Sequence, residues 1–115
     1  MAFKQKQLDA AGSTNATLLQ AGATRVHTIM IMNASAATRY IRFYNKATSP
    51  TVGTDVPVCV IAVAATSSKE IALKYELEFP LGLGIAITTG AAYNDSGAAT
   101  AHDVQMWIVY DNSLS

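Results

Sequence analysis

The chain has 115 residues, half of them hydrophobic and only 14% charged, and its eight basic and eight acidic residues give a formal net charge of zero. This length fits one domain and is too short for two ordinary ones, and the high apolar content excludes intrinsic disorder, which needs low hydrophobicity and high net charge. Zero net charge also argues against phosphate-driven binding of nucleic acid, which normally needs a basic excess.

The charged fraction of 14% is below the roughly 25% of an average soluble domain. The surface must therefore be covered by uncharged polar residues or by a partner chain.

Cys59 is the single cysteine, so it cannot form an internal disulfide, and we expect it to be a small buried hydrophobe. The start MAFKQKQLDA lacks the apolar core of a signal peptide. No apolar run approaches the roughly 20 residues that a membrane helix needs. We therefore expect a soluble protein made in a cytoplasm.

Runs rich in β-branched and aromatic residues alternate with turns of small residues, a pattern that predicts an all-β domain. The predicted strands are 16–20, 25–33, 39–45, 56–63, 68–74, 83–89 and 103–110. The alanines do not recur at helical spacing, so no long helix is predicted. About seven to eight short strands at this spacing indicate an antiparallel β-sandwich, jelly-roll-like or immunoglobulin-like. We assign residues 1–13 to an N-terminal arm and residues 14–115 to the sandwich domain.

Several predicted strands lack a polar face. In 25–33, strict alternation would place Val26 with Met30 on one face and Ile29 with Ile31 on the other. Strand 103–110 is also apolar on both sides. Such strands are normally buried on both faces, whereas the outer faces of a two-layer sandwich are solvated. The pattern therefore predicts that another chain covers an outer face.

Strand 39–45 carries Tyr40, Arg42 and Tyr44 on the face opposite Ile41 and Phe43. Tyrosine and arginine are enriched in interface cores, so we interpret the face with the two tyrosines as an interface. The alternative is a stacking platform for single-stranded nucleic acid. Zero net charge and the absence of a second basic strand nearby argue against that alternative.

The N-terminal arm has two apolar anchors, Phe3 and Leu8, among small and polar residues. We predict that the arm reaches a neighbouring subunit and adds as a strand to an open sheet edge. The alternative is a frayed terminus, which is common in proteins.

No arrangement of residues predicts an enzyme, a metal site or a cofactor. His27 and His102 do not have metal-ligand spacing, and His27 is expected to be hydrogen-bonded or at an interface. Glu76 and Glu78 could share a strand face, but no cleft residues accompany them. Trp107 lies mid-strand among apolar residues and is predicted to be in the core, which leaves a glycan site without its exposed aromatic ring.

Five segments resemble small β-sandwich virion proteins of tailed phages, particularly capsid decoration (cement) proteins and related head or tail accessory proteins. The segments are LLQAGATRVHTIMIMNASAATRYIRFYNKA, GTDVPV, SSKEIAL, FPLGLGIAITTGAAYNDSG and VQMWIVYD. The resemblance spans roughly residues 14–110 and lies in strands and turns, so it transfers no single functional residue.

The resemblance implies a non-enzymatic virion component, made in the host cytoplasm, that forms a homo-oligomer, with a trimer favoured. Its implied partner is the major capsid protein or another virion component, and the implied role is binding and stabilising the capsid shell. A tail or head–tail accessory protein is the alternative within this class. A glycan- or single-stranded-nucleic-acid-binding module is the alternative from another class.

Overall fold

The computed structural model describes residues 3–112, apart from the side chains of residues 73–76, and contains eight named strands. They are β1 (Lys4–Asp9), β2 (Thr17–Ala21), β3 (Thr24–Asn33), β4 (Arg39–Asn45), β5 (Cys59–Val63), β6 (Ser67–Phe79), β7 (Gly82–Thr88) and β8 (Val104–Asp111). The prediction of an all-β sandwich is confirmed. No helix long and apolar enough to cross a membrane occurs in the part of the chain that the structure describes.

The strands form two four-stranded antiparallel sheets. Sheet I has the order β1-β8-β3-β6, and sheet II has the order β2-β7-β4-β5. Only β4 and β5 are both consecutive in sequence and hydrogen-bonded to each other, because the chain otherwise crosses repeatedly from one sheet to the other. Eight strands in two sheets with this connectivity define a jelly roll, which decides between the two topologies left open by the sequence.

The core lies between the sheets and is built from alternate residues of the central strands. In β8, every second residue from Val104 to Tyr110 is buried and the residues between are half-buried. From sheet II, Ile41, Phe43 and Ile85 meet this layer and are fully buried. The alternation of apolar residues in the sequence therefore sets which faces pack together.

A β-bulge in β3 changes the faces predicted for this strand. The register against β8 shifts between Val26 and Thr28, so that His27 is the extra residue in this ladder. Val26 consequently lies on the inner face with Ile29 and Ile31, and all three are buried. The prediction that Val26 shares a face with Met30 is wrong, because a one-residue insertion reverses the side-chain alternation.

The arm residues Lys4–Asp9 form β1, an edge strand that was not predicted. It pairs with β8 along its whole length, from Lys4 opposite Tyr110 to Asp9 opposite Gln105. Five of its six side chains are exposed, and Leu8 packs against the core. In the structure these residues belong to the sandwich, so deleting residues 1–12 would uncover the edge of β8 instead of trimming a loose tail.

Candidate interaction surfaces

Arg42 is fully buried and is held by the connection between β7 and β8 (residues 89–103). Its Nε donates to Thr88 Oγ1 at 2.7 Å. Its Nη2 donates to the carbonyl oxygens of Gly90 and Ala92, both at 2.7 Å, and Nη1 donates to that of Tyr93 at 3.2 Å. Burying a cation costs free energy unless the cation is hydrogen-bonded. Here the hydroxyl of Thr88 and the three carbonyl oxygens accept hydrogen bonds from the guanidinium group of Arg42. Arg42 therefore fixes the β7–β8 connection over the outer face of sheet II.

Tyr44 is also buried, beside a second connection of the same chain (residues 46–58). Pro50 of this connection packs on Gly84, the residue opposite Tyr44 in the ladder between β4 and β7. Burial raises the pKa of the Tyr44 phenol, and the positive charge of the neighbouring Arg42 opposes that shift.

The predicted interface on β4 is thus corrected at two of its three positions. Arg42 and Tyr44 are covered by the chain's own connections, so no partner is needed to explain why this face is not polar. Tyr40 is half-buried and points to the outer side, and it remains a candidate contact residue. Replacing Tyr44 with aspartate would consequently unfold the protomer before it weakened an assembly.

An apolar surface does occur on the outer face of sheet I, and we call it the sheet I patch. It consists of Phe3, Met30, Met32, Trp107 and Val109. Phe3 is 63% exposed and Met32 is 50% exposed, while the other three are half-buried. The prediction that Trp107 belongs to the core is wrong, because Trp107 pairs with Met30 on the side of the ladder facing away from the other sheet.

A groove of about 460 Å³ runs along this patch. It is lined by Gln5, Met30, Ile31, Met32, Ser68, Lys69, Glu70 and Trp107. A second depression of about 460 Å³ adjoins it and shares Met32 and Ser68 with it. The part of the patch formed by Met30, Met32 and Trp107 is therefore a shallow depression, to which β1 and β6 contribute polar groups.

Phe3 closes one end of the patch by packing on His27, with ring centroids 4.6 Å apart. His27 Nε2 is paired with the carboxylate of Asp111, whose side chain is buried. The expectation that His27 is a hydrogen-bonded residue is confirmed. Leu8, the other predicted contact residue of the arm, faces the core and is not available to a neighbour while β1 remains in the sheet.

A second apolar surface lies along β5, at the free edge of sheet II, and we call it the β5 strip. It consists of Tyr40, Val56, Val58, Val60 and Ala62. Val56 is 72% exposed and Val58 is 51% exposed. Cys59 follows Val58 in the sequence and lies half-buried on the inner side of the strand, and burial raises the pKa of its thiol. The sequence signal for this surface was the run VPVCVIAV, which contains no polar side chain.

Among the side chains that the structure describes, no group of three His, Cys, Asp or Glu residues is able to hold a metal ion. His102 Nδ1 contacts Asp9 Oδ2 at 2.8 Å on the surface, far from His27 in the sequence. The side chain of Glu76, considered above with Glu78, lies outside the described residues.

No family model matches the chain, and a search of curated proteins found no match. Among solved structures, the coat protein of tobacco streak virus is 9% identical, with 98% of this chain and 89% of that chain covered and a TM-score of 0.40. A Bacillus endospore appendage protein, from a family of disulfide-linked pili, is 18% identical, with 97% and 88% covered and a TM-score of 0.49.

Hydroquinone 1,2-dioxygenase from Sphingomonas sp. TTNP3 is 6% identical, with 96% of this chain but 59% of that chain covered and a TM-score of 0.33. With TM-scores below 0.5 and identities of 18% or less, the coat protein, the appendage protein and the dioxygenase assign neither a family nor a function to this chain.

Proposed function

We propose that the protein is a non-enzymatic structural component of a virion, which binds other protein chains through the sheet I patch and the β5 strip. The observation that supports this most directly is the sheet I patch, where Met32 is 50% exposed in the groove that also contains Trp107, and Phe3 is 63% exposed at the other end of the patch. Monomeric proteins rarely expose large contiguous apolar patches, and Trp, Phe and Met are enriched in interface cores.

The two surfaces belong to different sheets of the sandwich, so one protomer can contact two neighbours at once. A component of a shell needs this property. Together with the sequence resemblance to phage virion proteins, it favours capsid decoration, in which added apolar contacts between shell subunits resist the pressure of packaged DNA. On this proposal the protein is a homo-oligomer, with a trimer favoured, and binds the major capsid protein. A tail or head–tail accessory role uses the same surfaces.

Replacing Met32 with lysine is expected to raise the dissociation constant of the oligomer by about tenfold or more, because a charge replaces apolar contact area and each 1.4 kcal/mol corresponds to about tenfold in affinity. Light scattering across micromolar concentrations measures this. Thr51→Lys, which places the same charge on an exposed residue of the β4–β5 connection, should leave assembly unchanged. A wild-type protein that stays monomeric at these concentrations would remove the main support for the proposal.

Binding to expanded capsids is expected to change by less than about threefold between 50 and 200 mM salt. The chain has no net charge with which to attract a partner, whereas phosphate-driven binding falls by about 10³–10⁵ over this range. Co-sedimentation with capsids at several salt concentrations measures the slope. A steep loss of binding would instead favour the nucleic-acid alternative.

A glycan-binding role is the second candidate, favoured by the outward position of Trp107. The ring borders a groove that also contains the polar groups of Gln5, Ser68 and Glu70, and binding sites commonly combine an apolar wall with a few polar groups. Because Trp107 is the single tryptophan, its fluorescence reports directly on this groove. A saturable change on titration with oligosaccharides, abolished by Met30→Asp, would support this candidate, and an unchanged spectrum would exclude it for the sugars tested.

A further inference from the structure

We infer that two copies of the chain pair edge to edge through β5, antiparallel and around a two-fold axis at Val60, so that sheet II continues from one protomer into the other. The inference rests on the proposed self-association and adds a two-fold contact to it, which would join protomers of separate trimers because a cyclic trimer contains no two-fold axis. Its starting point is Val56–Val63, eight consecutive residues without a polar side chain. This segment lies at a free sheet edge, with β4 on its other side.

The other sheet edges carry features that discourage pairing with a further strand, such as charges and bulges. On β1, Lys4 and Lys6 are exposed, and on β6, Lys69 and Glu70 are exposed. β2 has a register shift between Leu18 and Gln20. Among the four edge strands of the described residues, β5 is the one with neither a charge nor a bulge.

The partner that suits this edge is a second copy of β5. A two-fold axis sets each strand against itself, so a charged edge would bring like charges together, as Lys4 and Lys6 would do on β1. An uncharged apolar edge meets its copy without repulsion. In an antiparallel pair, the axis must be perpendicular to the sheet, so the outward side chains of both copies stay on one face. Val58, Val60 and Ala62 of the two copies then form one continuous apolar strip.

The length available for pairing is limited at both ends. Pro57 has no backbone N–H to donate. Val58 N already donates to the carbonyl oxygen of Phe43 at 2.7 Å, so Val58 can offer a new ladder only its own carbonyl oxygen. At the other end, Lys69 Nζ donates to the carbonyl oxygen of Ala62 at 3.1 Å. The stretch that can pair is therefore residues 58–62, with one backbone group already hydrogen-bonded at each end, and its centre is Val60. With the axis at Val60, Val58 of one copy lies opposite Ala62 of the other.

Single cysteines introduced in a Cys59→Ser background test both the pairing and its register. On the axis, the two copies of Val60→Cys place their Cβ atoms about 4.5–5.5 Å apart, close enough for mild oxidation to form a disulfide. Two copies of Val58→Cys are four residues apart along the ladder, about 13 Å, and so are two copies of Ala62→Cys. Neither of these variants should cross-link alone, but an equimolar mixture of the two should form a covalent heterodimer.

Cys59→Ser alone should give no covalent dimer, and denaturation midpoints should show that each variant is folded. Cross-linking by all three variants to the same extent would indicate packing through a face and would overturn the edge pairing, as would no cross-linking in any variant or mixture. If cross-linking fails while the wild type is oligomeric and Met32→Lys dissociates it, the proposed function stands without this contact. If the wild type is monomeric and nothing cross-links, both are overturned.

Discussion

Replacing Arg42 with methionine is expected to lower the free energy of unfolding by about 2–4 kcal/mol. Methionine fills most of the volume but donates no hydrogen bond, so the carbonyl oxygens of Ala92 and Tyr93 lose the Arg42 donors that now bind them. The carbonyl oxygen of Gly90 loses Arg42 as well and keeps the Thr88 hydroxyl as a donor. Each buried acceptor left without a partner costs about 1–3 kcal/mol, and partial rehydration of the connection reduces the sum. Urea denaturation followed by circular dichroism measures the loss.

Arg39→Met is the matched control for this prediction. Arg39 Nε donates to Asp103 Oδ2 at 3.0 Å, with both side chains partly accessible to solvent. Its removal should cost about 1 kcal/mol or less, as for an ion pair near the surface. Arg42→Met should also make residues 89–97 more sensitive to proteolysis, because their attachment to sheet II is lost. Equal stability of the two variants, with no increase in cleavage, would contradict the role assigned to Arg42.

The sequence predicts the sandwich well because most strands bury one face against the other sheet. Such packing requires an apolar residue at every second position of the sequence, as for Ile41 and Phe43 in β4. β1 was missed because its sequence, KQKQLD, buries little. Leu8 is the main contact of β1 with the core. The ladder between β1 and β8 is made by backbone hydrogen bonds, which do not require any particular pattern of side chains in the sequence.

The candidate surfaces could be predicted only in part. Alternation shows that two faces of a strand are not polar, but it does not show whether a partner or a loop covers the second face. On β4 the second face is covered by a loop of the same chain. The alternation in β4 could not show this, because the carbonyl oxygens that bind Arg42 lie about 50 residues further along the chain. Trp107 shows the converse: its apolar neighbours suggest the core, and only the register of β8 shows that it faces outwards.

Replacing Gly82 with alanine is expected to destabilise the protein by about 2–4 kcal/mol. Gly82 has φ +153°, where an L side chain is strained, and an added Cβ would lie 2.5 Å from the carbonyl oxygen of Lys46 and 2.9 Å from that of Gln20. Both are backbone atoms of neighbouring segments, so neither can move aside cheaply. Gly82 also accepts a hydrogen bond from Lys46 N at 3.1 Å.

Gly12→Ala is the matched control, since nothing lies within 4 Å of a Cβ added there. It should be neutral or stabilising by up to about 1 kcal/mol, because alanine restricts the unfolded chain. Denaturation of both variants measures the difference, and a Gly82→Ala protein within about 0.5 kcal/mol of wild type would contradict the prediction.

Gly82 is the first residue of β7, which lies between β2 and β4 in sheet II. Strain at Gly82 therefore weakens the sheet whose edge strand is β5. We therefore expect Gly82→Ala to weaken cross-linking at Val60→Cys as well, whereas Gly12→Ala should leave it unchanged.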